Sequence, residues 1–362
     1  MRVQVEKRLE PSAFYRAAAP LIALGCTMIV ASAMFALLGK SPLAAFHALF
    51  LAPLQQVWAI HDLLVKATPL ILIAVGLCVC FRSGNWNIGA EGQFLIGGTA
   101  GAALPVLLPD WGGWSLLPAM LLLSVVGGAL YALIPALLKT RFGTNEILTS
   151  LMLVYVAQLL VDWLVRGPWR DPGGFGFAGT IGFPGDALLP ALLTAGTYAG
   201  STHAGIVLAV SAAMVVGFAL AYTLKGFEVS VLGASRKAAA FAGFNANRMT
   251  IFAFLLSGSL AGLAGLIEVS GNIGKLDDNL SLGYGFTAII VAFLGRLNPV
   301  GAIAAGLLLA LTYIGGQEAQ IMLGISDKIV SVFQGLLLFF VLAADSLIHY
   351  RVRLRSIVPQ VA

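Results

Sequence analysis

The chain has 362 residues, 59% of them apolar and only 10% charged, with a mean hydropathy of +0.94. Those values exclude an ordinary soluble domain and place the chain in a lipid bilayer. The net charge of +5 has no water-soluble domain on which to build a basic face, which excludes nucleic acid as a partner.

A bilayer span takes about 20 apolar residues. In chain order such stretches cover 18–39, 63–81, 90–109, 114–138, 146–166, 205–224, 250–270, 283–295, 299–315 and 329–346, the eighth and ninth being short. The expected fold class is an all-α polytopic membrane protein of about ten transmembrane helices, forming one transmembrane domain over 1–362. The first stretch holds Ala31, Ser32 and Ala33, a small-residue pattern like a signal cleavage site. Its apolar run continues to Leu38, so it reads as a retained first helix. With the N-terminus inside, fifteen Lys and Arg fall in inner segments and six fall outside, namely Lys40, Lys66, Arg166, Arg170, Lys275 and Lys328. The positive-inside rule then makes both termini, 1–17 and 347–362, cytoplasmic.

Between the first two spans, 40–62 carries Gln55 and Trp58 and reads as interfacial. The strip 83–98, "SGNWNIGAEGQFLIGG", follows the second span and carries Asn85, Asn87, Glu91 and Gln93 beside Arg82. An ionised residue at mid-bilayer costs about 2.5–3.5 kcal/mol, whereas each Leu or Ile returns only about 0.3–0.6. The strip must therefore face protein, a watery cavity or the membrane surface. In one reading a half-helix begins there and the amides line a polar pathway. In the other, Asn87 caps the next helix and Glu91 sits at the positive end of its dipole.

"GTNEILTSLML" opens the fifth span, where Thr144 and Asn145 suit a cap and Glu146 a first turn. The outer segment 167–204, "GPWRDPGGFGFAGTIGFPGD" and onward, is too glycine-rich for a catalytic domain and reads as a cap or partner surface. The inner loop 225–249 contains "SRKAAAFAG", in which Ser235 can start a short helix and Gly243 can end it. Such a helix is a docking element or a surface helix with snorkelling Arg236 and Lys237, and the residues alone leave both open.

After the seventh span, "GNIGKLDDNLSLGYGF" forms a weaker counterpart of the first strip, with Asn272, Tyr284 and Phe286 around the break. Broken helices at corresponding places suggest two weakly similar halves. Glu268 and Asp345, near the ends of their spans, read as interfacial, and Asp277 and Asp278 as solvated. Cys26, Cys78 and Cys80 fall inside spans and suit packing. His47, His61, His203 and His349 show no metal-ligand spacing, so neither a metal nor a cofactor is expected.

Three function classes compete. A membrane enzyme needs a nucleophile, base or metal cluster, and none is visible. An ion-coupled carrier of a small polar solute needs a mid-membrane carboxylate, for which Glu91 alone is a candidate. The membrane subunit of an ATP-driven importer needs only a pathway and a dock. The chain has no G-x-x-x-x-G-K-[ST] motif, so ATP hydrolysis would belong to a partner.

"NWNIGAEGQFLIGG", "FGTNEILTSLML" followed by "LVRGPWRDP", "LGASRKAAAFAGFNANRM" and "GYGFTAIIVAFLGRLNPVGAIAAGLL" stand in this order over most of the chain. Together they resemble permease subunits of bacterial sugar and nucleoside ABC importers, in the branched-chain amino acid and ribose permease superfamily. The likeness is strongest to the larger permease of nucleoside systems served by a basic-membrane-protein type lipoprotein. The resemblance implies a multi-pass, non-enzymatic subunit of the bacterial inner membrane. It implies as partners a cytoplasmic ABC ATPase, a second homologous permease and an extracytoplasmic substrate-binding lipoprotein or protein. It also implies that the loop 225–249 couples to the ATPase through Ser235, Arg236, Lys237, Ala239, Phe241, Gly243 and Phe244. The pathway would involve Asn85, Asn87, Glu91, Gln93, Asn272, Tyr284 and Phe286. Trp86 departs from the pattern, since similar permeases carry Phe or another apolar residue there. Spans nearly free of cations suit a neutral hydrogen-bonding solute such as a nucleoside, nucleobase or sugar.

Overall fold

The computed structural model of the protein describes residues 2–7, 13–194, 201–280 and 282–355. Parts of both expected cytoplasmic ends, and 195–200 of the outer segment, lie outside the described residues, as does the side chain of Asp345. The chain runs through β1 (Arg2–Lys7), α1 (Ala13–Leu37), α2 (Pro42–Phe46), a π-helical turn His47–Leu51, α3 (Val57–Arg82) and α4 (Ala90–Leu107). It continues with α5 (Leu116–Phe142), α6 (Glu146–Arg166), β2 (Ala191–Thr194), β3 (Ser201–His203), α7 (Gly205–Tyr222), α8 (Leu224–Ala234) and α9 (Arg236–Phe241). It ends with α10 (Ala246–Glu268), a π-helical turn Val269–Ile273, α11 (Tyr284–Leu294), α12 (Pro299–Leu323), α13 (Asp327–His349) and β4 (Tyr350–Arg355).

Each of the ten expected apolar stretches is helical. Among the described residues, seven helices are long and apolar enough to cross a membrane, while Tyr284–Leu294 and Lys328–Ala344 are shorter apolar helices. The segment 40–62, expected at the interface, holds α2, a π-helical turn and the first turn of α3. One expectation is corrected. The loop 225–249 holds two helices rather than one, because Thr223 caps α8 by accepting from the Gly226 N–H at 3.4 Å.

The chain divides into two compact units, residues 53–314 and residues 1–52 with 315–362. In the larger unit α3 is the axis, packed by α4, α7, α10 and α11. Its side chains from Leu70 to Val75 are all fully buried. A helix apolar on every side belongs at the centre of such a bundle, since no face of it needs water. Around it α4, α5 and α10 approach at backbone contact. A Cβ on Gly97 would lie 2.0 Å from Gly262 Cα, and one on Gly128 would lie 2.2 Å from the Gly258 carbonyl oxygen. Small residues at helix crossings replace the hydrophobic effect with close packing, which is the available driving force in lipid.

The segment from Thr180 to Phe183 is strapped to the second helix break. The N–H of Thr180 donates to Leu276 O at 2.8 Å, and that of Phe183 to Gly274 O at 2.8 Å. The Asp186 carboxylate accepts from the Gly113 N–H at 2.8 Å. In the smaller unit α1 packs on α13, and Phe35, Leu49 and Phe333 form a buried core with Ala31 and Ala319. There β1 pairs antiparallel with β4, so the two ends of the described chain lie together.

Two helix breaks as a candidate transport site

The first break occupies 83–89, between α3 and α4. Gly84 turns the chain at φ +71°, a left-handed conformation that glycine adopts without a Cβ penalty. The backbone leaves the helix, and its polar side chains take up the bonding. Asn85 is fully buried. Its amide donates to Ser83 Oγ at 2.7 Å, and its oxygen accepts from Lys139 Nζ at 2.9 Å and Thr250 Oγ1 at 3.2 Å. Lys139 also pairs with Glu146, whose carboxylate accepts the Trp86 N–H at 3.4 Å. The break is thus tied to α5, α6 and α10 at once. Asn145 caps α6 as its position suggests, accepting from the Ile147 N–H at 2.9 Å.

Asn87 and Gln93 bond to each other in both directions. Asn87 Nδ2 donates to Gln93 Oε1 at 2.9 Å, and Gln93 Nε2 returns the bond to Asn87 Oδ1 at 3.0 Å. Asn87 Nδ2 also donates to Ser257 Oγ on α10 at 3.0 Å. Both residues are buried. Neutral amides paired this way hold donors and acceptors inside the bundle without stranding a charge. Asn87 is not itself the N-cap of α4, which is Gly89, but its Oδ1 accepts the Gly89 N–H at 3.2 Å at the start of that helix. Trp86 is partly exposed, and its ring lies 5.2 Å from Phe81 and 6.0 Å from Phe293.

The second break lies between the π-helical turn Val269–Ile273 and α11. Here Glu91 takes a part that local reasoning misses. Besides sitting in the first turn of α4, its carboxylate accepts from the N–H groups of Gly283, at 3.2 Å, and Gly285. It therefore closes the start of α11, the half-helix of the other break, where free N–H groups and the helix dipole both favour an anion. The two half-helix starts touch: a Cβ on Gly285 would lie 2.3 Å from the Glu91 nitrogen.

Glu268 is buried in the bundle. It is 2% exposed, because the end of α10 packs against α3. Its Oε1 accepts from Asn272 Nδ2 at 2.7 Å, Tyr284 OH at 3.3 Å and Lys66 Nζ at 3.4 Å. The Lys66 ammonium also lies 5.7 Å from the centre of the Tyr284 ring. Tyr284 is buried, whereas Asn272 and Phe286 reach the surface. Lys66 and Glu268 were legible as charges near matching ends of two apolar stretches, the signal from which an ion pair could have been read. Beside the same turn, His203 packs on Gly271, and its Nδ1 accepts from the Gly205 N–H at 3.1 Å. Burial pushes its imidazole from 6.5 down to about 4, so it is neutral at physiological pH. Asp277 is half-buried, and burial raises its carboxyl above the usual range, so it is not the freely solvated group expected. A cavity of about 310 Å³ opens nearby, edged by Gln158, Asp162 and Asp278 over Leu95, Val161 and Leu280.

Between α8 and α10, Ser235 caps α9 by accepting from the Ala238 N–H at 3.3 Å, and Gly243 ends it at φ +79°. Ala239 anchors the helix by being fully buried, and Phe244 packs edge-on against Phe227 at 6.0 Å. Arg236, Lys237 and Phe241 point outward, with Phe241 98% exposed.

Residues 59–342 match the family model described as branched-chain amino acid transport system, permease component. The glucose ABC transporter permease protein of Haloferax volcanii is 35% identical, over 97% of this chain and 94% of its own length. The guanosine ABC transporter permease protein of Bacillus subtilis is 28% identical, over 89% of this chain and 92% of its own. The nucleoside ABC transporter permease protein of Lactococcus lactis subsp. cremoris is 26% identical, over 89% of each chain. The order of motifs, seven helices able to span a membrane among the described residues and a match across most of the length agree, and the chain belongs to this family of multi-pass ABC transporter permease components.

Proposed function

We propose that this permease forms the membrane pathway of an importer driven by a separate cytoplasmic ABC ATPase, in the inner membrane of a bacterium with both chain ends cytoplasmic. The solute is neutral and rich in hydrogen-bonding groups, of the nucleoside or sugar kind named for its relatives. Solute arrives from an extracytoplasmic binding protein, and a second homologous permease completes the pathway. The observation that carries the ATPase reading is α9, a short helix capped at both ends that presents Arg236, Lys237 and a 98% exposed Phe241. A large aromatic held outside any apolar surface of its own chain suits a pocket on a partner.

Asn85, Asn87 and Gln93 are proposed to line the pathway once the breaks separate, exchanging their mutual bonds for bonds to solute. Gly233 joins the dock to the break, because a Cβ there would lie 1.9 Å from the Arg82 carbonyl oxygen. Displacement of the dock thereby reaches the strip through backbone contact.

The test replaces Arg236, Lys237 and Phe241 together with alanine, and measures uptake in membrane vesicles supplied with ATP after the proton gradient is collapsed. Wild-type uptake is expected to persist, and the triple variant to reach the membrane yet transport nothing. Uptake that vanishes with the gradient despite ATP would point to an ion-coupled carrier, and normal uptake by the variant would remove the dock.

A further inference from the structure

We propose that Glu268, Lys66 and Asn272, gathered at the π-helical turn Val269–Ile273, form a binding step for vicinal hydroxyl groups of the transported solute. The inference rests on the importer reading and narrows its substrate class to sugars and nucleosides, leaving out free nucleobases.

The bonding of Glu268 is lopsided. Three donors crowd Oε1, while Oε2 is equally buried and has no protein partner. A carboxylate offers about four acceptor positions, and leaving a buried one open costs free energy. Its cation is a loose partner: Lys66 Nζ stands 3.4 Å away with its side chain 15% exposed, so the ammonium retains donors for another group. A pair kept only for stability would be better replaced by well-packed apolar residues. An ionisable pair inside a membrane bundle therefore points to function.

The surroundings point the same way. Three buried side-chain polar atoms lack a partner among the described residues, and two of them flank this turn: Glu268 Oε2 and His203 Nε2, whose ring packs on Gly271. π-Helical turns widen the helix and recur at functional sites. Asn272 is exposed and Glu268 buried, so the polar groups run from the surface inward.

Two adjacent hydroxyls of a ring can donate one to each oxygen of a carboxylate, while an ammonium donates to one of the hydroxyl oxygens. A ribose and a hexose both present that pair, and a nucleobase does not. Solute hydroxyls would take the open Oε2 and displace the weak Tyr284 and Lys66 bonds to Oε1.

The experiment uses cells carrying the complete transporter with its own receptor, which is the same in every strain. Initial uptake is compared for adenosine against 2′-deoxyadenosine and for glucose against 2,4-dideoxyglucose; neither deoxy partner carries adjacent hydroxyls, and the two pairs separate a ribose from a hexose source. Glu268→Gln is expected to slow the fully hydroxylated solute about ten-fold and its deoxy partner no more than about three-fold, since the deoxy solute has less to lose. Lys66→Met should shift the ratio in the same direction. Asn272→Ala, at an exposed position, should do so more weakly and keeps the test valid if a buried variant fails to assemble. Equal slowing of both members of a pair, at normal membrane abundance, would make the cluster structural and overturn the proposal, as would an unchanged ratio in all three variants. If the wild type imports neither pair, the vicinal-hydroxyl assignment fails, whereas the importer reading fails only if uptake vanishes with the proton gradient despite ATP.

Discussion

Replacing Glu91 with leucine tests whether the two breaks are joined as the structure shows. The carboxyl group accepts from the Gly283 and Gly285 N–H groups, one to each oxygen. A buried donor left unpaired costs about 1–3 kcal/mol. Leucine refills most of the volume, so the loss is dominated by two stranded N–H groups at the start of α11 and amounts to about 3–5 kcal/mol. Glu91→Gln keeps one acceptor oxygen and should lose about half of that. Glu91→Asp, one methylene short of the glycines, should resemble leucine more than glutamine. The measurement is thermal unfolding of the purified permease in detergent, where the leucine variant is expected to melt at least about 5 °C below wild type. If the leucine variant melts within about 1 °C of wild type, or if glutamine is as damaging as leucine, the cross-break cap contributes little and the reasoning is wrong.

Two further perturbations test the packing and the buried histidine. Gly97→Ala should lower the melting temperature by the equivalent of about 1–3 kcal/mol, because its Cβ would lie 2.0 Å from Gly262 Cα. Gly25→Ala, with nothing within 4 Å of the added carbon, should raise it slightly through helix propensity, and equal effects from the two would show that the α4–α10 crossing yields. The third concerns His203, held neutral by burial down to about pH 4. Unfolding frees it to protonate near pH 6.5, so the unfolded state binds more protons below that value. Its contribution is complete above about pH 6.5 and is lost as pH falls toward 4, by at most about 3 kcal/mol. Melting temperatures of wild type and His203→Phe should therefore converge as pH falls from 7 to 4, and parallel curves would refute the assignment.

Much of the architecture was legible because span length and apolarity are local properties. A bilayer forces every spanning backbone into a helix, so ten apolar stretches become ten helices whatever their neighbours. The breaks were legible for a related reason: glycine beside asparagine interrupts a helix wherever it stands. What the polar residues do was not legible, because their partners lie far along the chain. Glu91 meets Gly285 across 194 positions, Lys66 meets Glu268 across 202, and Asn87 meets Ser257 across 170. A rule that weighs each charge singly against lipid sends Glu268 to the interface. Once Lys66, Asn272 and Tyr284 surround it that cost is offset, and the residue can be buried. The same logic explains why residues 224–234 look like loop in the sequence: the α8 helix depends on a Thr223 cap and on packing against α3 and α7, and a sequence window shows only its glycines and β-branched residues. In a bilayer, then, the charges hardest to place from sequence are those that pair, and pairing inside the bundle is what makes Lys66 and Glu268 the strongest candidates to meet a solute.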